Sequence, residues 1–280
     1  MSTSKIALVT GATDGIGIPT AIELARRGMH VILHGRRDER LAASRAAVLA
    51  AVPGASVDVA RADLSRLAEV RELGAALAAR YDAIHALVLN AGVFAKAGER
   101  TADGLELTIG VNHVAHFVLA SALLDRVREA ARRDGHGRVI TVSSIAHQSG
   151  RVDLEALAAG GRSTGYDAYA ESKLLNVMFA AELARRELAS ASGVTSNSLH
   201  PGVLSTKLLK TGFGRGGAPV EEGATTSVYL ATSPDVARTS GKYFVGTRVA
   251  PHHRSADDVA LTAKVWSITE ALAQAPSSAR

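Results

Sequence analysis

The chain has 280 residues, 47% of them hydrophobic but only 4% aromatic, so its core must be built from Ala, Val, Leu and Ile, a usage that suits a parallel sheet covered by helices. The formal charge of +5 and pI near 9.7 raise the question of nucleic acid. However, 32 Lys and Arg are interspersed with 27 Asp and Glu and no block of five or more basic residues occurs, which points to a solvated, arginine-rich surface and not to a nucleic-acid partner. The lack of cysteine excludes disulfides and thiolate metal sites. With no secretory signal at MSTSKIALVTGA and no uninterrupted apolar run of about 18 residues, a soluble cytoplasmic protein without a membrane partner is expected.

Short β-branched or leucine-rich runs alternate with longer segments of helical spacing. IALVT (6–10) leads to a helix at about 15–28, HVILHG (30–35) to one at 38–51, and SVDVARAD (56–63) to one at 65–80. HALVLNAG (85–92) is followed by 103–133, GRVITVSS (137–144) by 167–190, and VTSNSLHPG (194–202) by 221–232, before a strand at KYFVG (242–246) and a terminal helix at 257–274. This repetition predicts right-handed crossovers and one α/β domain over 1–280, a doubly wound parallel sheet with helices on both faces. Two Gly-rich stretches, about 145–166 and 205–220, follow strands and fall where open α/β sheets bind ligands; they are the expected substrate loops.

The turn TGATDGIG (10–17) joins the first strand to the first helix. Gly11, Gly15 and Gly17 lack a Cβ, so the turn is tight and a phosphate can approach the backbone beside the helix N-terminus. The spacing is G-x-x-x-G-x-G, not the G-x-G-x-x-G of ordinary dinucleotide folds. The second strand ends HGRRD (34–38), where an acidic residue would accept bonds from both adenosine ribose hydroxyls. Here Gly35 is followed by Arg36, whose guanidinium suits a 2′-phosphate, so NADP(H) is expected over NAD(H). Asp14 adds no second basic group. The preference is therefore expected to be incomplete, with NAD(H) still usable.

In YDAYAESKLL (166–175), Tyr169 and Lys173 lie one helical turn apart and reach the same face. At roughly 4 Å and an effective dielectric of 20, an ammonium attracts a phenolate by about 4 kcal/mol, enough to lower a tyrosine by about three pKa units before desolvation. That would bring Tyr169 toward the range where acid–base catalysis works at neutral pH. Tyr166 has Ala170 four residues on and no such partner; it is expected at the substrate mouth.

Together these residues resemble the short-chain dehydrogenase/reductase family in its classical form. The matching segments are TGATDGIG, ADL at 62–64, NAG at 90–92, Asn112 in VNHVAHF, VSS at 142–144, Y-x-x-x-K at 169–173 and HPGVLST at 200–206. VNHVAHF, AYAESKLLNVMFAAELARR and GATTSVYLATSPDVARTSGKYF are most similar to its retinol-dehydrogenase-like branch. The resemblance implies a Rossmann-type fold and a carbonyl/alcohol oxidoreductase with an NAD(P) cofactor. It implies that Gly11, Thr13, Asp14, Gly15, Ile16, Gly17 and Arg36 hold the phosphates, that Asp63 and Leu64 frame the adenine, and that Asn90, Ala91 and Gly92 stand beside the adenosine ribose. Pro201, Gly202, Val203 and Thr206 would line the nicotinamide. Asn112, Ser144, Tyr169 and Lys173 would form the catalytic tetrad, with Tyr169 and Lys173 also beside the nicotinamide ribose. Ser144 is chosen over Ser143 as the second of its pair, and strand alternation should send the two to opposite faces. In the reduction direction Tyr169 would protonate the carbonyl oxygen, Ser144 would bond it, and Asn112 would hold a water relaying protons to Lys173. The sequence departs from the family's NNAG at Leu89, expected to point into the sheet.

Other features have plainer readings. His113 and His116, three apart, suggest metal ligands, but no third ligand is evident and packing is expected. His252 and His253 read as a solvated loop, and His200 as positional. Leu174, Val177, Met178, Ala181 and Leu183 form a core or dimer face, which admits a homodimer or homotetramer, and Trp266 is a packing anchor. The 24 residues between Ser144 and Tyr169, with Leu208, Leu209 and Phe213, suggest a partly apolar pocket for a small or medium organic molecule. Two alternatives stand beside this reading: an epimerase or dehydratase on the same fold, whose turn has a different spacing, and a cofactor-binding regulator or scaffold, which would typically lack the tyrosine or lysine.

Overall fold

Alternation along each strand decides how the sheet is covered. Leu8 enters one core, whereas Ala7 and Val9 enter the other; Ile32 and Leu87 follow the first, Val31, Leu33, Ala86 and Val88 the second. The computed structural model describes residues 4–214 and 216–274. Its elements are β1 (Ile6–Val9), α1 (Gly17–Arg26), β2 (His30–Gly35), α2 (Asp38–Ala51), β3 (Val57–Arg61), α3 (Leu67–Arg80), β4 (Ala86–Leu89), α4 (Leu107–Ile109), α5 (Ala115–Asp134) and β5 (Gly137–Val142). They continue with α6 (Leu154–Ala158), α7 (Gly165–Ala189), β6 (Val194–His200), α8 (Lys207–Phe213), α9 (Ala224–Thr232), β7 (Tyr243–Val245), β8 (Arg248–Val249) and α10 (Val259–Gln274).

Among the described residues these strands form one sheet in the order β3-β2-β1-β4-β5-β6-β7-β8. All neighbours are parallel except the β7–β8 pair at the edge. The expected doubly wound sheet is therefore present, with β8 an unforeseen two-residue return. Helices α3, α5, α7 and α10 cover the face that Leu8 enters, and α1, α2 and α9 the other. Leu89 is wholly buried in the first core. The order reverses between β1 and β4, which opens a crevice at their carboxyl ends.

The two expected substrate loops hold short helices: a 3₁₀ turn at Ile145–Ser149 and α6 in the first, α8 in the second. A π-turn at Gly110–Val114 joins α4 to α5, with the Ala115 N–H bonding the Gly110 carbonyl. The run Leu107–Asp134 is long and apolar enough to cross a membrane by length and composition, yet 78% of its apolar window is buried inside the fold.

Helix α10 lies across α5 and α7, so the stripe at Leu174, Val177, Met178 and Leu183 packs within this chain. Trp266 is the anchor: it stacks on Phe179 at 5.7 Å, meets the edge of Phe117 at 4.8 Å, and carries the Arg186 guanidinium 4.3 Å from its ring centroid.

Candidate active site

A cleft of about 1290 Å³ runs along the carboxyl ends of β1, β2, β4, β5 and β6. Its walls include Gly11, Thr13, Asp14, Gly15, Ile16, Arg36, Asp63, Leu64, Asn90, Ala91, Gly92, Ser144, Tyr169, Lys173, Pro201, Gly202, Val203 and Thr206. Two expected site residues stand behind the wall. Gly17 lies under the glycine turn, where a Cβ would come within 2.2 Å of the Gly11 carbonyl oxygen. Asn112 is wholly buried behind Gly92.

At the glycine-turn end, Asp14 accepts from the Gly15 N–H and pairs with Arg40 at 3.2 Å. Asp14, which adds no basic group of its own, is thus matched by a cation, Arg40, that the sequence reading missed. Arg36, Arg37 and Arg40 line this end together. Burial raises the Asp63 carboxyl, but bonds from the Ser65 N–H and hydroxyl and the charges of Arg36 and Arg66 outweigh it, leaving the group below the usual carboxylate range. The Asn90 amide donates to the Thr10 carbonyl at 2.8 Å, while its buried Oδ1 has no protein donor, as suits an acceptor for a ribose hydroxyl. The narrow turn, the cluster of guanidiniums and this orphaned acceptor fit a dinucleotide.

At the other end Tyr169 and Ser144 line the cleft together, and Ser144 acts to lower the buried phenol. Ser143, which lines the same cleft, donates to the Lys173 carbonyl at 2.7 Å, tying the end of β5 to α7. Lys173 Nζ donates to the Val142 carbonyl at 3.2 Å and stands 5.6 Å from the Tyr169 ring centroid. The expected lowering of the phenol is not found in the bare protein. Burial pushes Tyr169 up to about 12, Ser144 acting against it and Tyr166 adding to it, while burial brings Lys173 down to about 8. Desolvation is the largest cause for both groups.

Asn112 holds the loop after β4: its Oδ1 accepts from the Val93 N–H at 2.7 Å and its amide donates to the Val93 carbonyl at 3.0 Å. Its own carbonyl accepts from His116 Nδ1 at 3.0 Å, and His116 Nε2 accepts from the Thr10 hydroxyl at 2.9 Å. The Thr10 oxygen in turn accepts the Asn90 and Ala91 N–H groups. Burial brings His116 down to about 3, so it is a neutral link between the glycine turn, β4 and Asn112. A similar link is His34, which accepts from the Gly11 N–H at 3.3 Å and donates to the Ala62 carbonyl. Neither link was foreseen; the only signals were a Thr at the turn and a His one helical turn after Asn112.

His113 points elsewhere, to Thr269 of α10 at 3.0 Å, so the two histidines share no common centre. His252 pairs with Asp257, and the His253 ring accepts from the Ser255 N–H. His200 lines the cleft with a buried Nδ1 that lacks a protein partner. Tyr166 lines the mouth, its hydroxyl 2.9 Å from Ser149 Oγ. Leu208 and Leu209 also line the cleft, and the side chain of Phe213 lies outside the described residues. Thr206 caps α8 by accepting from the Leu209 N–H at 3.1 Å.

The short chain dehydrogenase family profile matches residues 5–213. Human retinol dehydrogenase 13 is 35% identical over 98% of this chain and 86% of its own length, and human polyprenol dehydrogenase 31% identical over 94% and 83%. A crystal structure of an uncharacterized protein from Mycobacterium paratuberculosis is 31% identical, covers 98% of this chain and 95% of its own, and superposes with a TM-score of 0.78. The chain belongs to the short-chain dehydrogenase/reductase family, in its retinol-dehydrogenase-like branch, and is an NAD(P)-dependent oxidoreductase.

Proposed function

We propose that this protein interconverts a carbonyl and an alcohol on a small or medium, mainly apolar organic molecule, with NADP(H) preferred over NAD(H). The observation that carries this reading is the convergence of Tyr169, Ser144 and Lys173 on one cleft, with Lys173 on the same helix face as the phenol. A dinucleotide held in this cleft would supply hydride to a carbonyl carbon or accept it from an alcohol. In reduction, the Tyr169 O–H bond breaks as its proton passes to the substrate oxygen, and the Ser144 hydroxyl bonds that oxygen as charge develops. Lys173 would hold the nicotinamide ribose and help return a proton to Tyr169. The Asn112 carbonyl accepts the His116 N–H and is the proposed anchor of a water that relays protons to Lys173.

Arg36, with Arg37 and Arg40 on the same wall, supports recognition of a 2′-phosphate. Ile145, Val203, Leu208 and Leu209 support an apolar substrate, as do the names of the two human relatives, dehydrogenases of retinol and polyprenol. A cytoplasmic location is part of the proposal and is supported by the cysteine-free composition. The test is a panel of aldehydes, ketones and alcohols followed by nicotinamide absorbance at pH 7 with either cofactor. The wild type should turn over some of them and Tyr169→Phe none, with NADPH affinity nearly unchanged; turnover by Tyr169→Phe contradicts the assignment.

A further inference from the structure

The loop after β4 carries an aromatic side chain that the catalytic scheme does not use. Phe94 lines the cleft, its ring 5.6 Å from the Tyr169 ring and tilted by 36°. Its backbone is held on both sides: Val93 is bonded through N–H and carbonyl to Asn112, and the Ala95 N–H donates to Thr108 at 3.3 Å. The far side of the ring rests on α8 at Gly212. A Cβ there would lie 2.6, 2.8 and 3.0 Å from Cδ2, Cγ and Cε2 of Phe94, closer than real carbon atoms pack. Gly212 lies inside a helix, where glycine costs about 1 kcal/mol relative to alanine, so helix stability is given up where the ring needs the room. Leu208, one turn earlier, packs with Phe94 against Ala146, Tyr169 and Ala170. The ring is thus packed against both the tyrosine and the helix.

We propose that Phe94, backed by Gly212, is the specificity-determining wall of the substrate pocket. It sets the width of the slot beside the Tyr169 hydroxyl and selects carbonyl compounds that are slender at the reacting carbon over those branched next to it. The inference rests on the oxidoreductase reading above.

The test compares kcat/KM for an aryl methyl ketone and the corresponding aryl tert-butyl ketone, with NADPH, in wild type, Phe94→Ala, Gly212→Ala and the double variant. Phe94→Ala should raise the tert-butyl to methyl ratio by about tenfold or more, the scale on which a few methyl groups are discriminated by a pocket. Gly212→Ala pushes the ring into the slot and should lower the ratio several-fold in the wild-type background, but by less than about twofold once Phe94 is alanine, because the contact it acts through is gone. NADPH affinity, measured by fluorescence titration, should hold in all four proteins. If Phe94→Ala does not fold, Phe94→Leu takes its place with a smaller shift in the same direction. An unchanged ratio in a folded Phe94 variant, or an equal Gly212→Ala effect in both backgrounds, overturns the wall. A wild type that reduces neither ketone nor any other carbonyl in the panel overturns the oxidoreductase reading itself, and the wall with it.

Discussion

Lowering the pH from 7 to 5 is expected to destabilise the protein through imidazoles buried without charge. His34, His113 and His116 are almost wholly buried, and desolvation holds them at about 4, 4 and 3, against 6.5 for a free imidazole. Because the folded values lie below the unfolded one, the unfolded chain takes up protons first on acidification. The stability these groups contribute is complete above pH 6.5 and is lost as the pH falls toward 4 and 3. At pH 5 each unfolded imidazole has gained about 1.5 pH units of protonation free energy, or about 2 kcal/mol, so the three account for on the order of 6 kcal/mol. Glu171, whose carboxyl burial pushes up, works in the opposite sense and trims the total. That loss is large beside the roughly 5–15 kcal/mol that holds most domains folded. Urea titrations at pH 7, 6 and 5 and constant ionic strength, followed by Trp266 fluorescence and circular dichroism, should show the midpoint falling at constant slope. Equal unfolding free energies at pH 7 and pH 5 would refute the reasoning.

Three further outcomes are expected. Arg36→Asp should move the NADPH to NADH ratio of kcat/KM toward NADH by about tenfold or more, since it removes a charge-assisted contact and adds a repulsive one; steady-state kinetics with both cofactors check it. His116→Leu leaves the Thr10 hydroxyl and the Asn112 carbonyl short of a partner and should cost about 1–3 kcal/mol of stability with a fall in kcat, whereas His116→Gln, which can donate and accept, should recover part of both. Trp266→Ala empties the seat between Phe117, Phe179 and Arg186 and should cost about 3 kcal/mol, read as a lower melting temperature.

The sheet was legible because its strands are short apolar runs closed by recognisable turns. The polar ends of those runs, Gly11, Asn90, Ser144 and Pro201, sit at the carboxyl edge for the same reason. Elements that depend on a few residues were not legible. The edge strand β8 is two residues long, and α8 carries an internal glycine that reads as loop. The π-turn at 110–114 leaves the hydrophobic spacing around it intact, so nothing in the pattern marks it. Pairings across the fold were also out of reach. Arg40 is distant in sequence from Asp14, and His116 from Thr10. The acidity of Tyr169 was misjudged because pairwise attraction can be estimated from spacing, whereas desolvation requires the buried surroundings.

Helix α7 carries Tyr169 near one end and is gripped by Trp266 at Phe179, about 15 Å further along its axis. A change at that indole contact would give the helix a pivot about which to tilt. A tilt of about 5° at that pivot would carry the phenol sideways by more than 1 Å, a displacement that costs a reaction about a hundredfold in rate. Changes on the outer surface of α10, far from any substrate, should accordingly register in turnover before they register in affinity.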